Sequence, residues 1–180
     1  MKIGVVSDSH KNLSYLRKAL GYLKDFSVDM VIHLGDDYTD SVILGEYNIK
    51  NIRIPGVYDP EYMDNNIKNR IIERINELSI LISHTKASHK NDQEGDIIPE
   101  EVINKKEADI VLYGHSHLYE IKKEGEIIYF NPGHLQEIGA KGRSATFGML
   151  ELKENEIIIC SIFDLNKNCI IKEEFPCQRG

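Results

Sequence analysis

The chain has 180 residues, 41% hydrophobic and 28% charged, a balance that fits one folded domain with a substantial core and excludes disorder as the main state. Its formal net charge of −7 repels polyanions and so argues against a nucleic-acid polymer as partner, and no apolar run approaches the roughly 20 residues of a membrane span. The start Met1-Lys2-Ile3 lacks the pattern of a secretory signal, and Cys160, Cys169 and Cys177 form neither a disulfide framework nor a zinc knuckle; a cytoplasmic protein with reduced thiols is expected.

Met1 to Val6 is an apolar, β-branched run ending at Ser7-Asp8-Ser9-His10, the pattern of a strand in a sheet covered on both faces. From Asn12 onward Leu13, Leu16, Leu20 and Leu23 recur at helical spacing with Lys11, Arg17, Lys18 and Lys24 opposite, which predicts an amphipathic helix on that sheet. Met30 to Leu34 is a second buried strand, stopping at Gly35-Asp36-Asp37. Thr39 to Glu46 reads as a short helix and Asn51 to Ile54 as a third strand before Pro55-Gly56, so the first third is built of parallel βαβ units. Arg70 to Ile75 and Leu78 to Ser83 read as a hairpin across Asn76-Glu77, with a helical alternative for the first half. Thr85 to Asp96 is polar and featureless, a mobile lid or a site loop. Pro99 starts a helix through Lys106, and Asp109 to Tyr113 is a further buried strand. Leu118 to Lys123, Glu126 to Phe130, Ala145 to Leu152, Glu156 to Phe163 and Cys169 to Glu173 are short strands between turns. A βα front half and a mostly antiparallel back half predict a single α/β domain over residues 1–180, two sheets sandwiched between helices.

Polar residues of one chemical kind gather where these strands end. Asp8 and His10 follow the first strand, Asp36 the second, His84 ends the strand from Leu78, and His115 and His117 follow the strand ending at Tyr113. In an open α/β sheet the carboxyl ends of the strands face one crevice, so these carboxylates and imidazoles converge. Oxygen and imidazole nitrogen together suit divalent Mn, Fe, Zn, Co or Ni. The i, i+2 spacing of Asp8-x-His10 and of His115-x-His117 puts each pair on one side of an extended segment, and Gly35 and Gly114 allow sharp turns before Asp36 and His115. Taken singly, each pair is equally a cap or surface turn; the joint placement carries the argument. His33, inside an apolar run, reads as a core histidine or a support behind the ligands, and His89 and His134, in polar loops, as surface residues.

Asp8-x-His10, Gly35-Asp36, His84 after an apolar strand and Gly114-His115-x-His117 resemble the calcineurin-like metallophosphoesterase superfamily. Asn131-Pro132-Gly133 and the closing strand in Arg143-Ser144-Ala145-Thr146-Phe147 resemble its small archaeal and bacterial phosphodiesterase branch. The resemblance runs from Met1 to about Leu152 and implies a four-layer sandwich, two mixed β-sheets flanked by helices. It implies one or two divalent ions per chain (Mn, Ni, Fe, Zn or Mg), the first held by Asp8, His10 and His117, the second by His84 and His115, with Asp36 bridging. The implied activity is hydrolysis of a small phosphate ester, a diester first and a monoester second, by hydroxide formed on the metal. It leaves a homodimer open, and a relative in the retromer complex adds the alternative of a scaffold that has lost the chemistry.

One departure stands out. The family's third block places a metal-binding asparagine after glycine, but this chain reads Gly56-Val57-Tyr58-Asp59, and valine has no donor atom. The second ion is therefore expected to bind more weakly. Tyr58 falls where relatives carry a residue that helps protonate the leaving oxygen, which makes it the candidate catalytic residue. A phenol with a pKa near 10 is a poor acid, so it positions the ester or lines the pocket wall. Lys86, two residues after His84, is either a phosphate ligand or a solvated loop lysine.

Overall fold

The alternation in the first third is realised as β1 (Lys2–Val6), helix α1 (Leu13–Asp25), β2 (Met30–His33) and β3 (Lys50–Arg53), in a computed structural model that describes residues 1–137, 142–153 and 157–176. The Asn12 side chain accepts the Tyr15 N–H at 3.2 Å and caps α1. The helix buries Leu16, Ala19, Leu20 and Leu23, and each leucine withdrawn from water contributes about 2 kcal/mol. In the middle of the chain β4 (Arg70–Ile75) and β5 (Leu78–Ser83) form the expected hairpin. Its turn residues Asn76 and Glu77 both take positive φ, 47° and 70°, as a two-residue turn matched to strand twist requires. Then follow α2 (Pro99–Asn104), β6 (Ile110–Leu112), β7 (Glu120–Glu124), β8 (Ile127–Asn131), β9 (Thr146–Leu152), β10 (Ile157–Asp164) and β11 (Cys169–Pro176).

These strands form two mixed sheets, a six-stranded one in the order β11-β10-β9-β1-β2-β3 and a five-stranded one in the order β4-β5-β6-β8-β7. The division into a parallel front and an antiparallel back is thus corrected: in the first sheet the parallel strands β1-β2-β3 form one half, with β3 at the edge and antiparallel β9-β10-β11 on the other side, and in the second a parallel centre, β5-β6-β8, has an antiparallel strand at each edge. Between the sheets lies the main core, where Ile3, Val5, Met30, Ile32 and Leu150 of one sheet meet Ile80, Ile82, Ile110, Leu112 and Phe130 of the other. The outer face of the first sheet is closed by α1 over Val6, Val31 and Phe147, and that of the second by α2 over Leu81, Val111 and Tyr129. Helix, sheet, sheet, helix are the four layers expected.

Thr39 to Glu46 belongs to a run of 3₁₀ turns, Tyr38–Tyr47, rather than an α-helix, and a further 3₁₀ turn at Pro60–Met63 went unexpected. Thr85 to Asp96 lacks regular structure yet is not a loose lid. Arg70, only 4% exposed, reaches into it from β4 and donates to Ser83 Oγ (3.0 Å), Thr85 Oγ1 (3.1 Å), Asp92 Oδ1 (2.8 Å) and the Ile97 carbonyl (3.2 Å). The Tyr62 hydroxyl also donates to Asp92 Oδ1, at 2.7 Å. Cys160 is a buried free thiol, its pKa pushed up to about 12 by desolvation, and Cys169 is exposed and free. Glu156 and Cys177 lie outside the described residues.

Candidate metal centre

Asp8, His10 and Asp36 come from the loops after β1 and β2, and His84, His115 and His117 from those after β5 and β6, so both sheets contribute. Two groups form. Asp8, His10, Asp36 and His117 bring donor atoms within 4.8 Å of one another, as do Asp36, His84 and His115; either group could hold a metal ion, and Asp36 is common to both. The two oxygens of Asp36 face different partners: Oδ2 lies 3.4 Å from His10 Nε2 and Oδ1 lies 3.3 Å from His84 Nε2. His117 Nε2 is 3.1 Å from Asp8 Oδ1 and 3.2 Å from His10 Nε2, and His115 Nδ1 is 3.2 Å from His84 Nε2.

The surroundings aim these atoms. Asp8 Oδ2 accepts from the Ser7 hydroxyl and from the His115 N–H (3.1 Å), while Asp8 Oδ1 is buried, has no hydrogen-bond partner among the described residues and faces the His117 nitrogen. Leaving a buried carboxylate oxygen without a donor costs free energy that a cation at that point would recover. His84 donates from Nδ1 to the Leu34 carbonyl at 2.7 Å, since a carbonyl can only accept; its Nε2 then turns a lone pair toward Asp36 and His115, the tautomer a metal ligand needs. The donor set, aimed and partly orphaned, fits a divalent ion in each group.

The backbone here is not extended, as the i, i+2 reasoning assumed. Asp8, His10, Asp36, His115 and His117 all take left-handed φ between 44° and 62°, each at a cost of about 1 kcal/mol or more. Asp40 holds the first turn by accepting from Lys11 N–H (2.7 Å) and Ser9 Oγ (2.8 Å). Asp59 holds the second by accepting from the N–H groups of Gly56, Asp37 and Tyr38 at 2.7, 3.0 and 3.0 Å. Gly35 does turn, with φ +102°. Gly114 serves instead for close approach, because a Cβ there would run into Ser7 Oγ and lie 2.6 Å from Asp8 Oδ2.

Electrostatically the centre demands positive charge. Burial works against ionisation of Asp36, yet the His10 and His84 imidazoles hold its carboxyl well below the usual carboxylate range. The hydrogen bond to Asp36 raises His10; for His84 desolvation is the largest single effect and works downward, but Asp36, Asp8 and the Leu34 carbonyl together raise it on balance. His115 is lowered, first by desolvation and then by the facing His84. A field that favours a proton between these groups favours a metal ion in the same place.

The model of the calcineurin-like phosphoesterase superfamily domain matches residues 1–155. The chain belongs to that superfamily. A phosphodiesterase of Methanocaldococcus jannaschii is 30% identical over 131 residues, which are 65% of this chain and 74% of that protein. The solved structure of an archaeal phosphodiesterase is similar at 25% identity and a TM-score of 0.63, covering 98% of this chain and 99% of that one. Vacuolar Protein Sorting 29 from Cryptosporidium parvum is similar in fold alone, at 17% identity and a TM-score of 0.71 over 97% of each chain. The chain is a phosphoesterase, a hydrolase of a family that uses divalent metals, and with both donor groups assembled the scaffold alternative is not favoured.

In this phosphoesterase all six candidate ligands come together, while three other expectations change. His33 is a support, as expected: fully buried, it accepts the Gly35 N–H on Nδ1 at 3.2 Å, and desolvation lowers its pKa to about 4. His134 is not a surface residue but 1% exposed, accepting the Gln136 N–H on Nδ1 and donating from Nε2 to the Arg143 carbonyl at 3.2 Å, with its ring 5.7 Å from that of His117. His89 is not a free surface group either; its ring lies 5.5 Å from Tyr58 and 5.9 Å from His115. Lys86 is partly exposed but not a free loop lysine, since Nζ sits 4.2 Å from the centre of the Tyr129 ring and 3.4 Å from Glu120 Oε2. Val57 is buried, and its carbonyl already accepts from Asn91 Nδ2 at 2.9 Å. Asp40, Asp59 and Asn131, which donates from Nδ2 to the Gly114 carbonyl at 2.9 Å, support the centre without having been singled out for it. For Asp59 and Asn131 a short polar side chain within three residues of a glycine was the available signal; Asp40 carried none.

Proposed function

We propose that this chain is a phosphodiesterase holding two divalent ions, one among Asp8, His10, His117 and Asp36 and one among Asp36, His84 and His115. The observation that carries this reading is Asp36, whose two oxygens face separate groups of imidazoles. Bound there, the ions would lower the pKa of a coordinated water and neutralise charge building on the phosphoryl oxygens. The chain's own residues supply position: His84 is locked by Leu34, Asp8 by Ser7 and the His115 N–H, and Tyr58 stands beside His115 to orient the ester. With neither side chain nor free carbonyl from Val57, the second ion has three protein donors and binds more weakly than the first. Manganese or nickel suits the mixed oxygen and nitrogen donors. The net charge of −7 supports a small ester over a nucleic-acid polymer, and the low use of cysteine supports a cytoplasmic enzyme.

The test is release of 4-nitrophenol from bis(4-nitrophenyl) phosphate by folded protein supplied with manganese or nickel, abolished by EDTA, and faster than release from the monoester. No turnover with either metal overturns the reading, and a faster monoester reaction replaces diester with monoester.

A further inference from the structure

Tyr58 is 65% exposed and borders a centre in which Asp8, Asp36 and His84 are buried. A lone exposed aromatic is common on a protein surface and says little by itself. The ring is nevertheless held. His89 meets it edge-on, with ring centres 5.5 Å apart and planes at 86°, and His115 lies on another side at 6.2 Å and 39°. His89 is itself fixed: its N–H donates to Asp92 Oδ2 at 2.9 Å, its Nδ1 accepts the Asn91 N–H at 3.2 Å, and Asp92 is gripped by Arg70 and Tyr62. The turn under Tyr58 is pinned by Asn91 on the Val57 carbonyl and by Asp59 on three backbone N–H groups.

An exposed aromatic ring on a rigid turn, propped by one imidazole and beside a second that belongs to the candidate centre, is a preset stacking surface. Planar π-systems gain from offset or tilted ring contacts beyond the area they bury, and a saturated ring of similar size does not. We infer that the open part of the Tyr58 ring receives a planar aromatic or heteroaromatic substituent of the phosphate ester, so that the substrate class is an aryl or nucleobase-bearing small ester. His89 is the positioning residue that sets the Tyr58 ring. This rests on the phosphodiesterase reading above for the identity of the bound group as a phosphate ester.

The experiment measures binding without turnover. Phenylphosphonate and cyclohexylphosphonate are titrated calorimetrically into manganese-loaded protein; they share the anionic head and nearly the same apolar size and differ in planarity. The wild type is expected to favour the phenyl compound roughly fivefold to tenfold. Tyr58→Phe keeps the preference, because the hydroxyl is not required, whereas Tyr58→Ala and Tyr58→Leu erase it. His89→Ala, which leaves Tyr58 present but unpropped, reduces it severalfold. Equal binding of the two ligands by wild type, or a preference that survives Tyr58→Ala, overturns the inference, and an unchanged preference in His89→Ala overturns the part given to His89. Absence of hydrolysis in the assay above would sink the enzymatic reading while leaving the calorimetric preference to be judged on its own.

Discussion

Asp36 is the residue at which the chemistry would be most sensitive, because its two oxygens reach toward different histidines 3.4 and 3.3 Å away. Asp36→Ala is expected to strip both ions and to reduce hydrolysis by more than about 100-fold; full metal content after dialysis, measured by mass spectrometry, would show that it does not bridge. Val57→Asn should act in the opposite sense and tighten the second ion, by about tenfold if the amide oxygen becomes a ligand; identical metal titrations of variant and wild type would mean that this turn does not face the ion. His33 makes a prediction about pH. Its folded pKa, about 4, lies below its ordinary 6.5, so the unfolded chain binds the extra proton between those values and stability is lost as pH falls from 6.5 toward 4, by roughly 3 kcal/mol. Above 6.5 the group contributes no slope. In EDTA, the stability gap between wild type and His33→Gln should therefore shrink over that window by urea unfolding, and a constant gap would refute it.

At the level of elements, the strand ends carried most of what was legible. Short β-branched runs stopping at Asp or His made β1, β2, β5 and β6 readable along with their ligands, because burial and chemistry mark the same few residues. What stayed hidden depended on contacts remote in sequence. Arg70 in an alternating strand resembles a solvated arginine, and only the fold reveals that Ser83, Thr85, Asp92 and Ile97 converge on it. His89 was read as surface for the same reason: its partners Tyr58 and His115 lie 31 and 26 positions away. The left-handed turns were equally invisible, since Asp and His, though enriched in that conformation, adopt it in only a small share of their occurrences. Arg70→Ala leaves Asp92 half-buried without its cation and is expected to cost about 3 kcal/mol. Amide exchange of residues 85–97 should quicken in that variant more than exchange in α1; uniform quickening would show the loop to be no separate unit.

On the scale of the molecule, the candidate centre sits where the two sheets meet, with Asp8, His10 and Asp36 on one side and His84, His115 and His117 on the other. An ion there ties the sheets together in the folded state alone. At a hundred times its dissociation constant it should stabilise the protein by about 3 kcal/mol, raising the melting temperature by several degrees over protein in EDTA; equal melting curves would mean that no ion is held at the seam.

The strand order has one more consequence. β1, which delivers Asp8 and His10, is hydrogen-bonded on one side to β2 and on the other to β9, whose residues Thr146–Leu152 come after every candidate ligand. A chain emerging from the ribosome thus carries all six donors long before the first sheet can close around them. Half of the ladder that sets Asp8 waits for a segment with no chemistry of its own, and such distant pairings form slowly. The hydrolytic apparatus would therefore come into full register only once β9 is in place, although every reactive group precedes it in the chain.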